Sequence, residues 1–306
     1  MKYSHAIQKS FADSTDLKGA GTGDSRGIGH GVSDCMWTAQ EFPTKLSDND
    51  VHIWRLKLEH SDLCAVKFAS ILSEEERARA ASLLFRRNRN RFTVCRGVLR
   101  TILGSYLNAE PDQLEFSYGP YGKPYLAKTF SKWAVQFSLS HSHELALYAF
   151  THGRKVGVDL ERIRNIPNVD KMAARFLSSQ DKAIFRTLPH SQRLKAFFDF
   201  WTRKEAYCKA IGIGLAQLYD GVGMPPISEE LAQAFNIEEN AREDCCWSIM
   251  SFAPAPEYTA TLAVEGQDLD LHYFQFVPNI ECKHMCSNHW ISLLHAQVSA
   301  SPFEVV

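Results

Sequence analysis

The chain has 306 residues, 45% hydrophobic and 23% charged, with 34 Lys and Arg against 35 Asp and Glu for a formal charge of −1. That composition excludes wholesale disorder, and the near-neutral balance excludes a global electrostatic grip on nucleic acid or an anionic membrane, so recognition by charge must be local. No stretch approaches the roughly 18 apolar residues of a membrane span, and the start MKYSHAIQKSF has no apolar signal core, so a cytoplasmic protein without membrane or nucleic-acid partners is expected.

At about 150 residues per domain, the length allows two domains or one domain of two halves. Residues 1–48 read as a flexible extension. Six of the 17 glycines fall between Gly19 and Gly31, and neither the preceding strand nor the following helix of a phosphate loop is present. VHIWRLKL (51–58) alternates as a half-buried strand does. A long helical region follows, in which Ser73 and Glu76 make a capping-box pattern. Leu83, Leu84, Phe92, Leu99, Ile102 and Leu103 carry the region to about Tyr106, with a break expected near Asn88 to Asn90, and turn residues from Asn108 to Gln113 end it. FSYG (116–119) leads into a loop rich in Gly, Pro and Tyr, after which AVQFSLSHS (134–142) and LALYAF (145–150) read as strands of a hairpin or meander. The second half repeats the plan. KVGVDLERI (155–163) is a strand, Ser178 with Asp181 is a second capping signal, and a helix-rich stretch runs through FFDFWTRKEAYCKAIG to about Ile211. Strands are expected at 246–252, 258–264 and 271–276.

The halves also keep register: Val51 lies 105 residues before Val156, Ser73 before Ser178 and Phe92 before Phe197. The expectation is an α+β fold of two similar halves with pseudo-two-fold symmetry, and chemistry at the seam between them. The division is 1–48 extension, 49–153 first half, 154–276 second half with the metal site, and 277–306 a tail of unassigned role. The eight cysteines are scattered as reduced buried thiols would be; Cys282, His284, Cys286 and His289 form one loosely spaced cluster of metal-ligand types without a second cysteine pair.

Four groups of residues could carry chemistry. Asp159 and Glu161, at i and i+2 of a strand, point to one face; either a divalent cation joins them, or the face is solvated and paired with Arg162 or Arg164. Trp201, Glu205 and Lys209 share a helix stripe, where Glu205 and Lys209 form either a surface ion pair or, in so aromatic a helix, a buried pair suited to metal or base work. Arg86, Arg87, Arg89, Arg91, Arg96 and Arg100 fall within fifteen residues; Arg96 and Arg100 share a face that could grip a phosphate, and Lys123 sits in a Gly-Pro loop as either a phosphate contact or a turn lysine. Ser140-His141-Ser142-His143 ends a strand; adjacency rules out a Ser-His triad and suits hydrogen bonding to a phosphate or nucleotide.

Taken in order, Tyr121-Gly122-Lys123-Pro124, Phe137-Ser138-Leu139-Ser140-His141-Ser142, Gly157-Val158-Asp159-Leu160-Glu161 and Phe200-Trp201-Thr202-Arg203-Lys204-Glu205, with Lys209 through Gly214, resemble a 4′-phosphopantetheinyl transferase of the Sfp type. The arginine-rich run from Arg89 to Arg100 is similar to that family's helix, and the resemblance covers roughly residues 50–276. Cys95 before Arg96 and Ala206 after Glu205 depart from the family pattern without removing a charge the mechanism needs.

The resemblance implies transfer of the 4′-phosphopantetheine arm of coenzyme A to a serine of an apo acyl or peptidyl carrier protein, with adenosine 3′,5′-bisphosphate as the other product. It implies Asp159, Glu161 and Glu205 as ligands of Mg²⁺, with Mn²⁺ as a substitute. Glu205 would also be the base for the carrier serine, and Lys209 would bind the pyrophosphate and assist the leaving group. Arg96, Lys123, Pro124, Ser140 and His141 match positions that hold the coenzyme A phosphates and adenine nucleotide. A monomer with an internal pseudo-dimer is expected. Two alternatives are a non-catalytic homologue that binds carrier protein or coenzyme A, and another Mg²⁺-dependent phosphotransferase on the same scaffold.

Overall fold

The computed structural model describes residues 36–40, 45–59, 61–215 and 247–278. The glycine-rich run, Cys35, Cys245, Cys246, the Cys282–Cys286 cluster and the tail beyond 278 lie outside the described residues. The architecture is mixed α+β, as expected, in four layers. One five-stranded sheet has the order β1 (Thr38–Gln40), β10 (Asp270–Phe276), β2 (Asp50–Lys57), β6 (Leu145–His152), β5 (Val135–Ser142). A three-stranded sheet has the order β7 (Val156–Arg162), β9 (Tyr258–Glu265), β8 (Trp247–Phe252), and a small hairpin joins β3 (Phe116–Tyr118) to β4 (Pro124–Leu126). Among the described residues no helix is long and apolar enough to cross a membrane.

Residue alternation explains the layering. Val51 and Ile53 of β2, with Leu145, Leu147 and Ala149 of β6, pack against Val156, Val158 and Leu160 of β7 and Leu262 of β9. This is the core between the sheets. The opposite face of the first sheet (Trp54, Leu56, Tyr148, Phe150) packs under α1 (Ser61–Ala69) and α3 (Arg86–Leu107). Beyond the second sheet lie α4 (Val169–Phe176), α5 (Ser179–Thr187) and the long α6 (His190–Ile211). β2 is therefore covered on both faces, not half-buried as its alternation predicts; His52 and Arg55 are buried too. Arg55 is accommodated by Gln275 at 2.7 Å, the Pro254 carbonyl at 2.6 Å and the Trp37 ring.

Both capping boxes form. Ser73 Oγ accepts from the Glu76 amide at the start of α2 (Glu74–Ala81), and Ser178 Oγ accepts from that of Asp181 at the start of α5. The helix break lies at residues 82–85, earlier than expected. Phe85 is extended there and Arg89 donates to the Leu83 and Leu84 carbonyls, while Asn90 lies within α3 and bridges to Asp62. Leu84, expected on the helical stripe, is exposed, as is its neighbour Phe85. Asn108, left-handed at φ 49°, ends α3. The strand expected at 271–276 forms, but it pairs in parallel with β2 of the first sheet. The segments related by the 105-residue offset fall in like elements: β2 and β7, the N-caps of α2 and α5, and the 22-residue helices α3 and α6.

Candidate active site at the β5–β7 seam

β5 and β7 are edge strands of different sheets, and they run side by side. An edge strand leaves backbone groups without ladder partners, and here side chains supply them. Ser138, Ser140 and Ser142, at i, i+2 and i+4 of β5, all face β7. Ser138 Oγ accepts from the Val158 amide at 3.0 Å, Ser140 Oγ donates to Asp159 Oδ1 at 2.8 Å, and Ser142 Oγ donates to Glu161 Oε2 at 3.0 Å while accepting from the Arg162 amide at 3.1 Å. The carbonyls of the same edge receive lysines. Lys209 Nζ donates to the Val158 carbonyl at 3.1 Å and Lys123 Nζ to that of Val156 at 3.1 Å.

Gly157, Asp159 and Glu161 alternate away from the inter-sheet core toward α6. Gly157 permits the approach: a Cβ there would stand 2.0 Å from the Ala206 carbonyl oxygen. That contact brings the flanking Glu205 and Lys209, one helical turn apart, to the acids of β7. Lys209 Nζ stands 2.7 Å from Asp159 Oδ1. Trp201, on the same stripe, belongs to the helical core with Phe197 and Phe176.

The acids here have more charge than partners. Asp159 is buried, and its Oδ2 has no hydrogen-bond partner. Burial and the neighbouring Asp159 charge raise Glu161 to about 7, against the pull of Arg164 and the Ser142 bond. Burial and Asp159 likewise raise Glu205 to about 7, opposed by Lys209. An orphaned buried carboxylate oxygen beside two acids that resist ionisation is a donor set that suits a hard divalent cation.

The other expected contacts separate into two kinds. The β3–β4 hairpin, tightened by Gly122 at φ 78° and by the Gly119 amide donating to the Lys123 carbonyl, aims Lys123 at the seam; Pro124 opens β4 and is buried. Burial lowers Lys123 to about 8, with the charges of Lys209 and Lys155 adding. Arg96 lies beneath the same hairpin, donating to Tyr118 Oη at 3.0 Å, with its Nη1 buried and unbonded. Arg100, only 1% exposed, is not available as half of a phosphate grip. It donates to Glu76 at 2.7 Å and to the Pro111 and Leu114 carbonyls, so its charge is consumed by the fold. Arg87 and Arg91 are both held by Glu144. The adjacent pair Ser140 and His141 is split by strand alternation: Ser140 is buried on Asp159, and His141 is exposed and turned away from the β7-facing serines. Ser142, expected as a phosphate or nucleotide contact, is spent on Glu161 and the Arg162 amide; Ser138 and Gly157 were given no role from the sequence, although the period-2 serines of FSLSHS carried the signal. A group of Asp50, His52 and His272 also converges, across strands too distant in sequence to be paired by inspection.

Residues 155–263 match the model of the 4′-phosphopantetheinyl transferase superfamily, and residues 60–152 that of the 4′-phosphopantetheinyl transferase N-terminal region. The chain is 40% identical over 225 residues to the 4′-phosphopantetheinyl transferase HetI of Nostoc sp., covering 73% of this chain and 90% of that protein. It is 32% identical over 118 residues to the 4′-phosphopantetheinyl transferase gsp of Aneurinibacillus migulanus, 39% of this chain and 46% of that one. It is 24% identical over 174 residues to the L-aminoadipate-semialdehyde dehydrogenase-phosphopantetheinyl transferase of Rattus norvegicus, 54% of this chain and 56% of the other.

Proposed function

The chain belongs to the 4′-phosphopantetheinyl transferase superfamily, and from that premise we propose that it moves the 4′-phosphopantetheine arm of coenzyme A onto a serine of an apo acyl or peptidyl carrier protein. Adenosine 3′,5′-bisphosphate is the second product. The observation that carries the site is the buried Asp159 carboxylate, held through Oδ1 by Ser140 and Lys209 and left without a hydrogen bond at Oδ2.

In this reading the carrier serine oxygen attacks the phosphorus that bears the pantetheine arm. The bond from that phosphorus to the bridging oxygen of the pyrophosphate breaks, and the nucleotide departs with that oxygen. Glu205, held near neutrality by burial, takes the proton from the serine hydroxyl. Lys209 steadies the charge that gathers on the departing phosphate. Asp159, Glu161 and Glu205 would hold Mg²⁺ or Mn²⁺, which when bound neutralises the pyrophosphate. Ser140 keeps Asp159 in place, and Lys123, Pro124, Arg96 and His141 are assigned to the coenzyme A phosphates and adenine nucleotide by the family match, His141 from the face of β5 that is turned away from β7. The working division remains 49–153 and 154–276 for a cytoplasmic monomer, with one amendment to the 1–48 extension: Trp37 and β1 (Thr38–Gln40) join the first sheet beside β10; residues 277–306 keep no assigned role.

Incubation with coenzyme A and an apo carrier protein, read as the mass gain of the pantetheine arm, tests the assignment. Glu205→Gln is expected to keep the fold and coenzyme A binding while losing at least ~10²-fold in loading rate. Near-normal loading by that variant removes Glu205 from the base role. Coenzyme A binding without any loading by the parent protein would favour a non-catalytic homologue.

A further inference from the structure

We propose that Asp50, His52 and His272 form a second metal site, for a zinc-type divalent cation, that clasps β2 to β10. The site is independent of the transferase reading and of the acids on β7.

Parallel pairing sets the geometry. Asp50 and His52, two apart on β2, share one face, and the register that places His272 beside His52 brings a second imidazole to the same spot. One ligand atom from each of the three residues lies within 4.8 Å of the others. His272 Nε2 is 3.3 Å from Asp50 Oδ1, and His52 Nε2 is 3.9 Å from Asp50 Oδ2. Ligands about 2.0–2.2 Å from a tetrahedral zinc ion stand about 3.4 Å apart. The two separations from Asp50 bracket that value and all three ligand atoms lie within 4.8 Å of one another, so side-chain movement completes three corners. At 3.9 Å the His52–Asp50 pair is too long for a hydrogen bond, yet it suits two ligands sharing an ion.

The chemistry of the donors selects the ion. Two imidazoles and one carboxylate suit zinc, nickel or copper, whereas Mg²⁺ and Ca²⁺ prefer oxygen alone. The surroundings prepare the ligands. His52 is 1% exposed, its ring packed between Tyr106 and Phe274, and its Nδ1 lies 2.6 Å from Tyr106 Oη, the outer contact that typically orients a ligating imidazole. The Ser47 amide donates to Asp50 Oδ2 at 2.7 Å and fixes the carboxylate beside the two imidazoles. His272 is 46% exposed, which gives an ion an entry path and leaves the fourth position to water.

The test uses the full chain carrying Cys282→Ser and Cys286→Ser, so that those thiols do not take up zinc. After removal of metals with a chelator, Zn²⁺ is titrated against a chromophoric competitor, and Co²⁺ reports coordination through its visible ligand-field bands. With Mg²⁺ in excess to occupy the acids of β7, one equivalent is expected. His272→Ala and Asp50→Asn should each weaken Zn²⁺ binding at least tenfold, and Tyr106→Phe by roughly 10–100-fold. His272→Ala alters a half-exposed side chain, so its metal-free melting temperature and its carrier loading should equal those of the parent. Absence of stoichiometric zinc, or unchanged affinity in both His272→Ala and Asp50→Asn, overturns the site.

Discussion

Replacing Gly157 by alanine tests how the seam is assembled. The added Cβ would lie 2.0 Å from the Ala206 carbonyl oxygen and 2.5 Å from the Ala210 amide nitrogen. Both are backbone atoms of a helix, so neither can swing aside as a side-chain end would. Ordinary contact begins at 3.4 Å, so α6 must retreat from β7 by about 1.4 Å. Overpacking of this kind costs about 1–3 kcal/mol of stability. The retreat would also carry Glu205 and Lys209 away from Asp159, where Lys209 Nζ now stands at 2.7 Å. A misplacement of ~1 Å at a reacting centre costs on the order of 10²-fold in rate. Carrier loading and urea melts of Gly157→Ala should therefore show a rate loss much larger than the stability loss alone would give. Gly153→Ala is the control, with φ +70° but no atom within 4 Å of the new Cβ, and should lose some stability while loading normally. If Gly157→Ala loads carrier within twofold of the parent and melts with it, close approach of α6 to β7 does not assemble the site.

Chelation with EDTA should abolish loading and Mg²⁺ should restore it; full activity in chelator removes the metal role from Asp159, Glu161 and Glu205. Arg100→Met should destabilise the fold by about 3–5 kcal/mol, because it leaves Glu76 buried without its 2.7 Å partner. Its affinity for coenzyme A should not change in the folded fraction, and a selective loss of that affinity would return Arg100 to a phosphate role. His143 is lowered from 6.5 to about 4 by burial, with Arg164, Arg162 and Arg91 adding. The unfolded chain then takes up a proton below pH 6.5 that the folded chain refuses until about 4. The associated stability is complete above 6.5 and is lost as pH falls through that window. His143→Asn, which tolerates the φ of 52° at this turn, should flatten that part of the denaturant-melt profile, and an unchanged slope refutes the assignment.

What could be read from the sequence depended on how far apart the interacting residues lie in the chain. Asp159 with Glu161 and Glu205 with Lys209 are fixed by periods of two and four, so their faces were legible; so were the capping boxes at Ser73 and Ser178, which need three residues of context. Arg96 and Arg100 show the limit of such patterns. They share a helix face, yet Glu76, from the preceding helix, and carbonyls after α3 commit Arg100 to the fold, which helical spacing does not encode. Ser140 and His141 were grouped as neighbours, and the pleat separates them. β2 looked half-solvated because its polar residues alternate, but His52 and Arg55 find buried partners on β10 and beyond it, more than two hundred residues away in the case of Gln275. The close approach at Gly157 was invisible for the same reason, since a glycine in a strand is silent about what passes over it.

The place of β10 between β1 and β2 also sets a timetable. Arg55 and Gln275, joined at 2.7 Å, are separated by 220 residues, so the first sheet lacks an interior strand until almost the last described residue has been made. At the pace of translation that interval is roughly 10–45 s, during which the hydrogen-bonding edge of β2 stands open to any other extended chain. A ribosome bearing this chain thus holds a finished α3 over an unfinished sheet. The first sheet is complete only once β10 has been made, so it matures with the second half and not ahead of it.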